Sequence, residues 1–181
     1  MRMRKMRNLE SRMEKCAAYR IDQPETLRGN WRSLKPDCTA LWVEVGCGKG
    51  KFIAGLAELH PDTVYFAMEK VPDVMVMAAE KCKEKGLENV RFLLEDATKL
   101  PEICKEHSLD VIYLNFSDPW PKARHARRRL TSPDFFARYD KVLVQDGQVE
   151  FKTDNRDLFD FSVESLGESE TWGISECTYD L

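Results

Sequence analysis

The chain lacks several features that would settle its class at once. None of its apolar runs approaches the ~18 residues of a membrane span. The basic opening, Met1-Arg2-Met3-Arg4-Lys5-Met6-Arg7, has no apolar stretch behind it, so no signal peptide is expected. There is no low-complexity tract and no internal repeat. The six cysteines (16, 38, 47, 82, 104 and 177) form no Cys-x-x-Cys pair, and none of the three histidines stands at metal-ligand spacing. A disulfide scaffold and a zinc module are thereby excluded, and the thiols are expected to be reduced, in a cytoplasmic protein without a bound metal.

What is present is an ordinary globular composition, 43% hydrophobic and 33% charged. Its 181 residues suit one domain that buries roughly two thirds of its unfolded surface. The net charge of −3 hides an asymmetry. Residues 1–15 carry six basic and two acidic side chains, and residues 122–129 carry five basic and none acidic. The remainder holds 17 basic against 29 acidic. Two basic patches on an acidic body fit a localised polyanion footprint, or else a solvated charged helix end.

Residues 1–39 show no clean period and read as a flexible basic arm and a loosely structured collar. From Ala40 the pattern is regular. Strands are predicted at 41–45, 64–68, 90–94, 111–116 and 148–152, with a sixth at 171–179. Helical spacing links them: Phe52, Ile53, Leu56 and Ala57; Val71, Val74, Met75, Ala78, Ala79 and Cys82; a short helix over 102–106; and Phe135, Phe136, Tyr139, Val142 and Leu143 after the start signal Ser132-Pro133-Asp134. Gly147 is placed as the boundary before the fifth strand, and a weaker helix carries Leu158, Phe159, Phe161 and Leu166. The alternation predicts an α/β, Rossmann-like fold, a mostly parallel doubly wound sheet occupying 40–181 behind the 1–39 collar.

In such sheets a ligand sits beyond the carboxyl ends of the strands. Those ends hold Glu44, Glu69, Asp96, Asn115 with Asp118, and Asp154. The turn after the first strand, Gly46-Cys47-Gly48-Lys49-Gly50, brings its third glycine one residue earlier than a dinucleotide fingerprint does. A pyrophosphate would meet Glu44 unfavourably, whereas a sulfonium or an amino group would not, which favours S-adenosylmethionine. Taken alone, the glycines could equally make a tight structural turn. Glu69 lies 25 residues past Glu44, near the ~20-residue spacing of ribose-binding acids, or it is a surface acid paired with Lys70. Asp96 with Ala97 suits an adenine amino group and its ring, or a helix cap.

The segment Asn115-Phe116-Ser117-Asp118-Pro119-Trp120-Pro121-Lys122 follows the fourth strand. Its two prolines are expected to hold the backbone extended. Arg124, His125, Arg127, Arg128 and Arg129 come next. A rigid Asx-Pro-aromatic turn beside a basic patch points to chemistry on a planar nitrogen base carried by a polyanion.

Glu-x-Gly-x-Gly-x-Gly (44–50), Glu69, Asp96-Ala97, the 115–122 segment, Arg128-Arg129-Leu130 and Phe151-Lys152-Thr153-Asp154-Asn155 together resemble the tRNA (guanine-N7-)-methyltransferase family. The resemblance covers roughly residues 28–165. It implies a class I methyltransferase fold, S-adenosylmethionine as donor, and N7 of a guanosine in the tRNA variable loop as acceptor. Glu44, Gly46, Gly48, Glu69, Asp96, Ala97 and Asp118 would surround the cofactor, with Asp118 catalytic. Lys122 and Asp154 would meet the substrate, and Arg124 to Arg129 the RNA. Family members normally continue into a Thr-x-Tyr-Glu motif and a final antiparallel strand, which are expected to be missing after Tyr179-Asp180-Leu181. A fragment, a natural truncation, or a partner supplying the piece would each account for that. An inactive tRNA-binding protein and a nicotinamide-dependent oxidoreductase are the alternatives. Trp120 either stacks on the base or packs against Pro119 and Pro121, and the protein is expected to be a monomer or a homodimer.

Overall fold

The computed structural model describes residues 6–180; Arg2, Arg4 and Lys5 of the basic arm, and Leu181, lie outside them. Five strands form one sheet: β1 (Ala40–Val45), β2 (Thr63–Met68), β3 (Val90–Leu93), β4 (Leu109–Asn115) and β5 (Leu143–Lys152). Their order is β3-β2-β1-β4-β5, and every pairing is parallel. The helices are α1 (Leu9–Lys15), α2 (Lys51–Leu59), α3 (Pro72–Glu84), α4 (Leu100–Ile103), α5 (Pro133–Val142) and α6 (Arg156–Gly167).

The period of two along the central strands divides the core between the two faces of the sheet. Leu41, Val43, Val45, Val64, Phe66 and Met68 face one cluster, with α4 and α5 packed against it. Tyr65 and Ala67 face the other, filled by Ile53, Ala54 and Ala57 of α2 and Met75, Ala78, Ala79 and Cys82 of α3. All six positions of β2 are buried, as expected of a strand covered on both sides. Pro72 and Pro133 occupy first helical positions, where a missing N–H costs nothing.

Four expectations need correction. The collar is not loose. Its Trp31 is buried, stacks on Phe66 at 4.7 Å between centroids and donates its indole N–H to the Ile103 carbonyl at 3.0 Å. Cys16 is buried in the opposite core, the Ile21 N–H bonds to the Phe92 carbonyl at 3.1 Å, and Arg12 pairs with Glu80 of α3. One-dimensional periodicity misses such an element, because its buried residues belong to short turns and not to a repeating face.

The short helix sits at 100–103 and not at 102–106. Asp96 caps a 3-10 turn, Ala97–Lys99, which runs straight into α4 and buries Leu100 and Ile103. Strand β5 starts at Leu143, so Gly147 lies inside it and marks no boundary. The register slips between Leu109↔Leu143 and Val111↔Gln148, with Asp146 at φ 63° in the irregularity. Residues 171–179 form no strand. Ser169 Oγ accepts the Thr171 and Trp172 amides, and Thr178 Oγ1 accepts that of Asp180. Hydroxyls that capture nearby amides compete with a ladder. Trp172 packs on Phe136 and Tyr179 on Phe159 instead, both at 4.9 Å between centroids.

Candidate active site at the carboxyl edge of the sheet

The strand order reverses between β1 and β4, and the chemistry gathers there. Gly46, Gly48 and Gly50 all have left-handed φ (75°, 54° and 71°), a conformation that disfavours side chains. Their roles differ. A Cβ on Gly46 or Gly48 would meet nothing within 4 Å, so those two leave an open face. A Cβ on Gly50 would lie 2.6 Å from that of Ala78, so Gly50 lets α2 approach α3. The Gly46 and Cys47 amides donate to the Met68 carbonyl at 2.8 and 3.1 Å, fastening the turn across the end of β2.

Glu44 projects from β1 and is 2% exposed. Its Oε1 accepts from Asn115 Nδ2 at 3.1 Å, and its buried Oε2 has no partner. Burial pushes the carboxyl pKa up to about 7; the Asn115 amide and the Ile53 backbone N–H oppose that shift, and the charge of Glu69 adds to it. A second buried orphan, Ser117 Oγ, lies two residues beyond Asn115.

Glu69 is fixed by the backbone: Oε2 accepts from Gly48 N at 3.0 Å, and Oε1 from Lys70 N and Val71 N at 2.8 and 3.1 Å. The Lys70 ammonium turns instead to Asp96, at 3.5 Å. Partial burial works against the Asp96 carboxylate, but the Thr98 amide and hydroxyl and the Lys70 charge outweigh it and hold its pKa below the usual value. Ala97, next in sequence, is buried. Glu44, Glu69 and Asp96 thus line the strand ends with carboxyl oxygens, one of them orphaned. Such a rim suits a cation, hydroxyls and an amino group, and repels a pyrophosphate.

The loop after β4 has a different construction. Phe116 continues the ladder, donating to the Lys152 carbonyl at 2.8 Å, and then turns outward with φ 51°. Trp120, between the two prolines, has φ 44°, so the expected extended backbone is not formed. Its ring is half-buried between two basic neighbours. Arg128 covers it at 5.0 Å and His125 meets it edge-on at 5.7 Å. Asp118 and Asp154 are exposed, at the ends of β4 and β5, and bond to no described side chain.

The run 123–128 is a 3-10 helix that presents Arg124, Arg127 and Arg128 to solvent beside the exposed Lys122. Arg124 Nε approaches His125 Nε2 at 3.3 Å, and Arg127 stands 3.8 Å from Asp134. Arg129 is half-buried and bonded to the Asp118 loop itself. Two contacts of the site are not legible in the sequence, the Glu44 bond of Asn115 and the burial of the Ser117 hydroxyl. Asn115 was noticed as a strand end, but its bond to Glu44 follows from the β1–β4 pairing, and nothing in the local sequence marked Ser117.

Five parallel strands with a glycine turn and carboxyl groups at the switch point define a class I methyltransferase fold. A family model described as "Putative methyltransferase" matches residues 39–179. The tRNA (guanine-N(7)-)-methyltransferase of Lachnoclostridium phytofermentans is 45% identical over 179 residues, covering 98% of this chain and 83% of that one. That of Geobacillus kaustophilus is 46% identical over 167 residues, covering 91% and 77%. The chain belongs to the tRNA (guanine-N7-)-methyltransferase family and is a methyltransferase.

Among solved structures, an S-adenosylmethionine-dependent O-methyltransferase from Thermotoga maritima superposes with TM-score 0.57 at 18% identity, covering 89% of this chain and 56% of that one. The aminoglycoside resistance methyltransferase NpmB1 gives TM-score 0.56 at 21% identity, covering 77% and 67%. These two relationships show the fold alone. The nicotinamide-dependent and inactive alternatives find no support in these comparisons. No helix among the described residues is long and apolar enough to cross a membrane.

Proposed function

We propose that the protein transfers a methyl group from S-adenosylmethionine to N7 of a guanosine in the variable loop of tRNA. The observation that carries this reading is the pairing of two unlike surfaces at one sheet edge. One is a rim of carboxyl groups with an orphaned Glu44 oxygen, and the other is an exposed acid, Asp118, followed by a basic 3-10 helix. Kinship with tRNA (guanine-N7-)-methyltransferases supports the substrate class, and the resemblance of the 115–122 and 151–155 segments supports the variable loop.

S-adenosylmethionine supplies a methyl group bound to a positively charged sulfur. Glu44 offers the orphaned oxygen to its cationic end. Glu69, already oriented by three backbone amides, would accept from ribose hydroxyls, and Asp96 would accept from the adenine amino group, with Ala97 leaving room for the ring. Open space at Gly46 and Gly48 lets the backbone come close.

Guanine N7 holds a lone pair and no proton, so no general base is required. In the transfer that S-adenosylmethionine would supply, the lone pair would form the new N–C bond as the S–C pair returns to sulfur, and positive charge would move from the sulfur to the imidazole ring. Alignment at ~3 Å contact is the main demand. Asp118 offsets the charge developing on the ring. Lys122, Arg124, His125, Arg127 and Arg128 hold phosphates, and Asp154 meets the base from the end of β5.

The test is transfer of labelled methyl to unmodified tRNA. Asp118→Ala should lower turnover by about 10²–10³, the scale of removing one charge-stabilising group. Undiminished turnover would sink the catalytic role.

A further inference from the structure

Among the five basic residues of 122–129, one is not directed at solvent. Arg129 is half-buried, its Nε donates to the Pro119 carbonyl at 3.1 Å and the Trp120 carbonyl at 3.3 Å, and its Nη2 donates to the Trp120 carbonyl at 3.1 Å. The other face of the guanidinium system lies over Phe161 of α6, with Cζ 4.3 Å from the ring centroid. Its backbone is held as well: Arg129 N donates to the Ala126 carbonyl and Ser132 N to the Arg129 carbonyl, at 3.1 and 3.0 Å.

The two carbonyls it grips belong to the residues that directly follow Asp118, where the chain passes through a left-handed Trp120 between two prolines. Prolines donate no amide, so this turn cannot be closed by ordinary ladder bonds. The Arg129 side chain supplies the missing donors. Next to Phe161, midway along α6, Ser162 Oγ donates to Thr131 Oγ1 at 2.6 Å and pins the helix near the same place. The amino end of α6 is capped by Asn155, whose Oδ1 accepts from Leu158 N at 2.8 Å. Asp154 is the residue before that cap.

We infer that Arg129 is a positioning residue: it straps the Asp118 loop to α6, and so sets the Asp118 carboxylate relative to the Asp154 end of β5, and it does not hold tRNA phosphate. A planar fork suits this task, since it reaches two carbonyls and stacks on an aromatic at once, which a lysine ammonium cannot do. The inference rests on the tRNA methyl-transfer reading for its kinetic consequence, though not for the strap itself.

Steady-state methyl transfer with Arg129→Gln and Arg129→Lys, measured over a salt series, separates the two roles. A strap predicts that kcat falls ~10–100-fold in both variants, the scale of a displaced reacting group. The KM for tRNA and its salt slope keep their wild-type values. A phosphate contact predicts the reverse: the salt slope drops by ~1 with Gln, and Lys restores it. That result overturns the inference. Hydrogen exchange of the 116–122 segment gives a readout free of activity. It should quicken in both variants while β1 and β4 stay protected, and unchanged exchange overturns the strap.

Should Arg129→Gln fail to fold, Phe161→Leu removes only the ring under the guanidinium. It should lower kcat ~3–10-fold at constant salt slope by the same misplacement, and wild-type kcat in this variant counts against the strap. If the wild-type protein moves no methyl to tRNA, the functional reading fails, and the exchange experiment alone decides the strap.

Discussion

The two halves of the carboxyl edge are built on opposite principles. The rim from β1 to β3 is a product of the core: Glu44 is buried within β1, Glu69 is fixed by three backbone amides, and Gly50 exists to let two helices touch. The loop after β4 is a product of the surface, with an exposed Asp118, two left-handed non-glycine residues and a guanidinium stacked on a tryptophan. The difference suits what each half is proposed to handle. A small charged cofactor is best met by groups already fixed, because each immobilised side chain otherwise lowers its affinity. A folded polyanion needs long-range attraction and room to dock, which exposed cations provide.

The sharpest way to break the first half without touching the second is Gly50→Ala. The new methyl would sit 2.6 Å from Ala78 Cβ at a backbone φ of 71°. Overpacking and left-handed strain add to roughly 2–5 kcal/mol of lost stability. Thermal or denaturant unfolding measures it. Donor affinity should fall as well, because α2 and the turn before it move together. The salt slope of tRNA binding in the surviving folded fraction should stay at its wild-type value; a changed slope would show that the halves are not separately built.

Glu44→Gln tests the same half through pH. The folded carboxyl has its pKa raised to about 7 from an ordinary value near 4.5. The stability this group contributes is therefore fully present below pH 4.5 and is lost as pH rises through about 7. At pH 8 the ligand-free protein carries a buried charge with an orphaned oxygen. The Gln variant should then be more stable than wild type, by on the order of 2–3 kcal/mol at pH 8 and by progressively less toward pH 5. Donor binding should move the other way, weakening in the variant at pH 8, since the ionised oxygen is what a cation recognises. Unfolding curves and donor titration at both pH values check this, and a stability difference between variant and wild type that is the same at both would remove the buried charge from the account.

The two halves also differed in how much the sequence disclosed. Glu44, Gly46, Gly48, Glu69 and Asp96 stand at strand ends, and strand ends follow from a period of two bounded by turn residues, so one-dimensional pattern located that rim. Asn115 as the partner of Glu44 required the β1–β4 register, which is a long-range pairing. The loop after β4 was legible as composition but not as geometry. Two prolines suggested an extended backbone, yet Trp120 between them is left-handed, and Arg129 bonds the carbonyls of that turn from nine and ten residues away. Charge counting placed Arg129 with its four basic neighbours, and only its partners distinguish it. The tail shows the same limit: alternation over 171–179 looked like a strand, and nearby serine and threonine hydroxyls took the amides instead.

The smallest predicted effect belongs to the surface half and probes it most directly. Arg127 is 91% exposed, and its nearest acid is Asp134 at 3.8 Å. An exposed pair at that distance contributes little, ~0–1 kcal/mol, so Arg127→Gln should leave unfolding nearly unchanged. If Arg127 is a phosphate ligand, its loss should weaken tRNA binding about equally for all tRNA sequences and lower the slope of log K against log salt by ~1. Filter or fluorescence binding across a salt series measures both. Because the side chain touches nothing that shapes Asp118, kcat at saturating tRNA should fall far less than in Arg129→Gln. The two arginines, two positions apart, would then separate cleanly: one read through salt, the other through turnover. A fall in turnover at saturating tRNA with an unaltered slope in Arg127→Gln would instead place both in the strap, and would move the phosphate-binding surface to Lys122, Arg124 and Arg128.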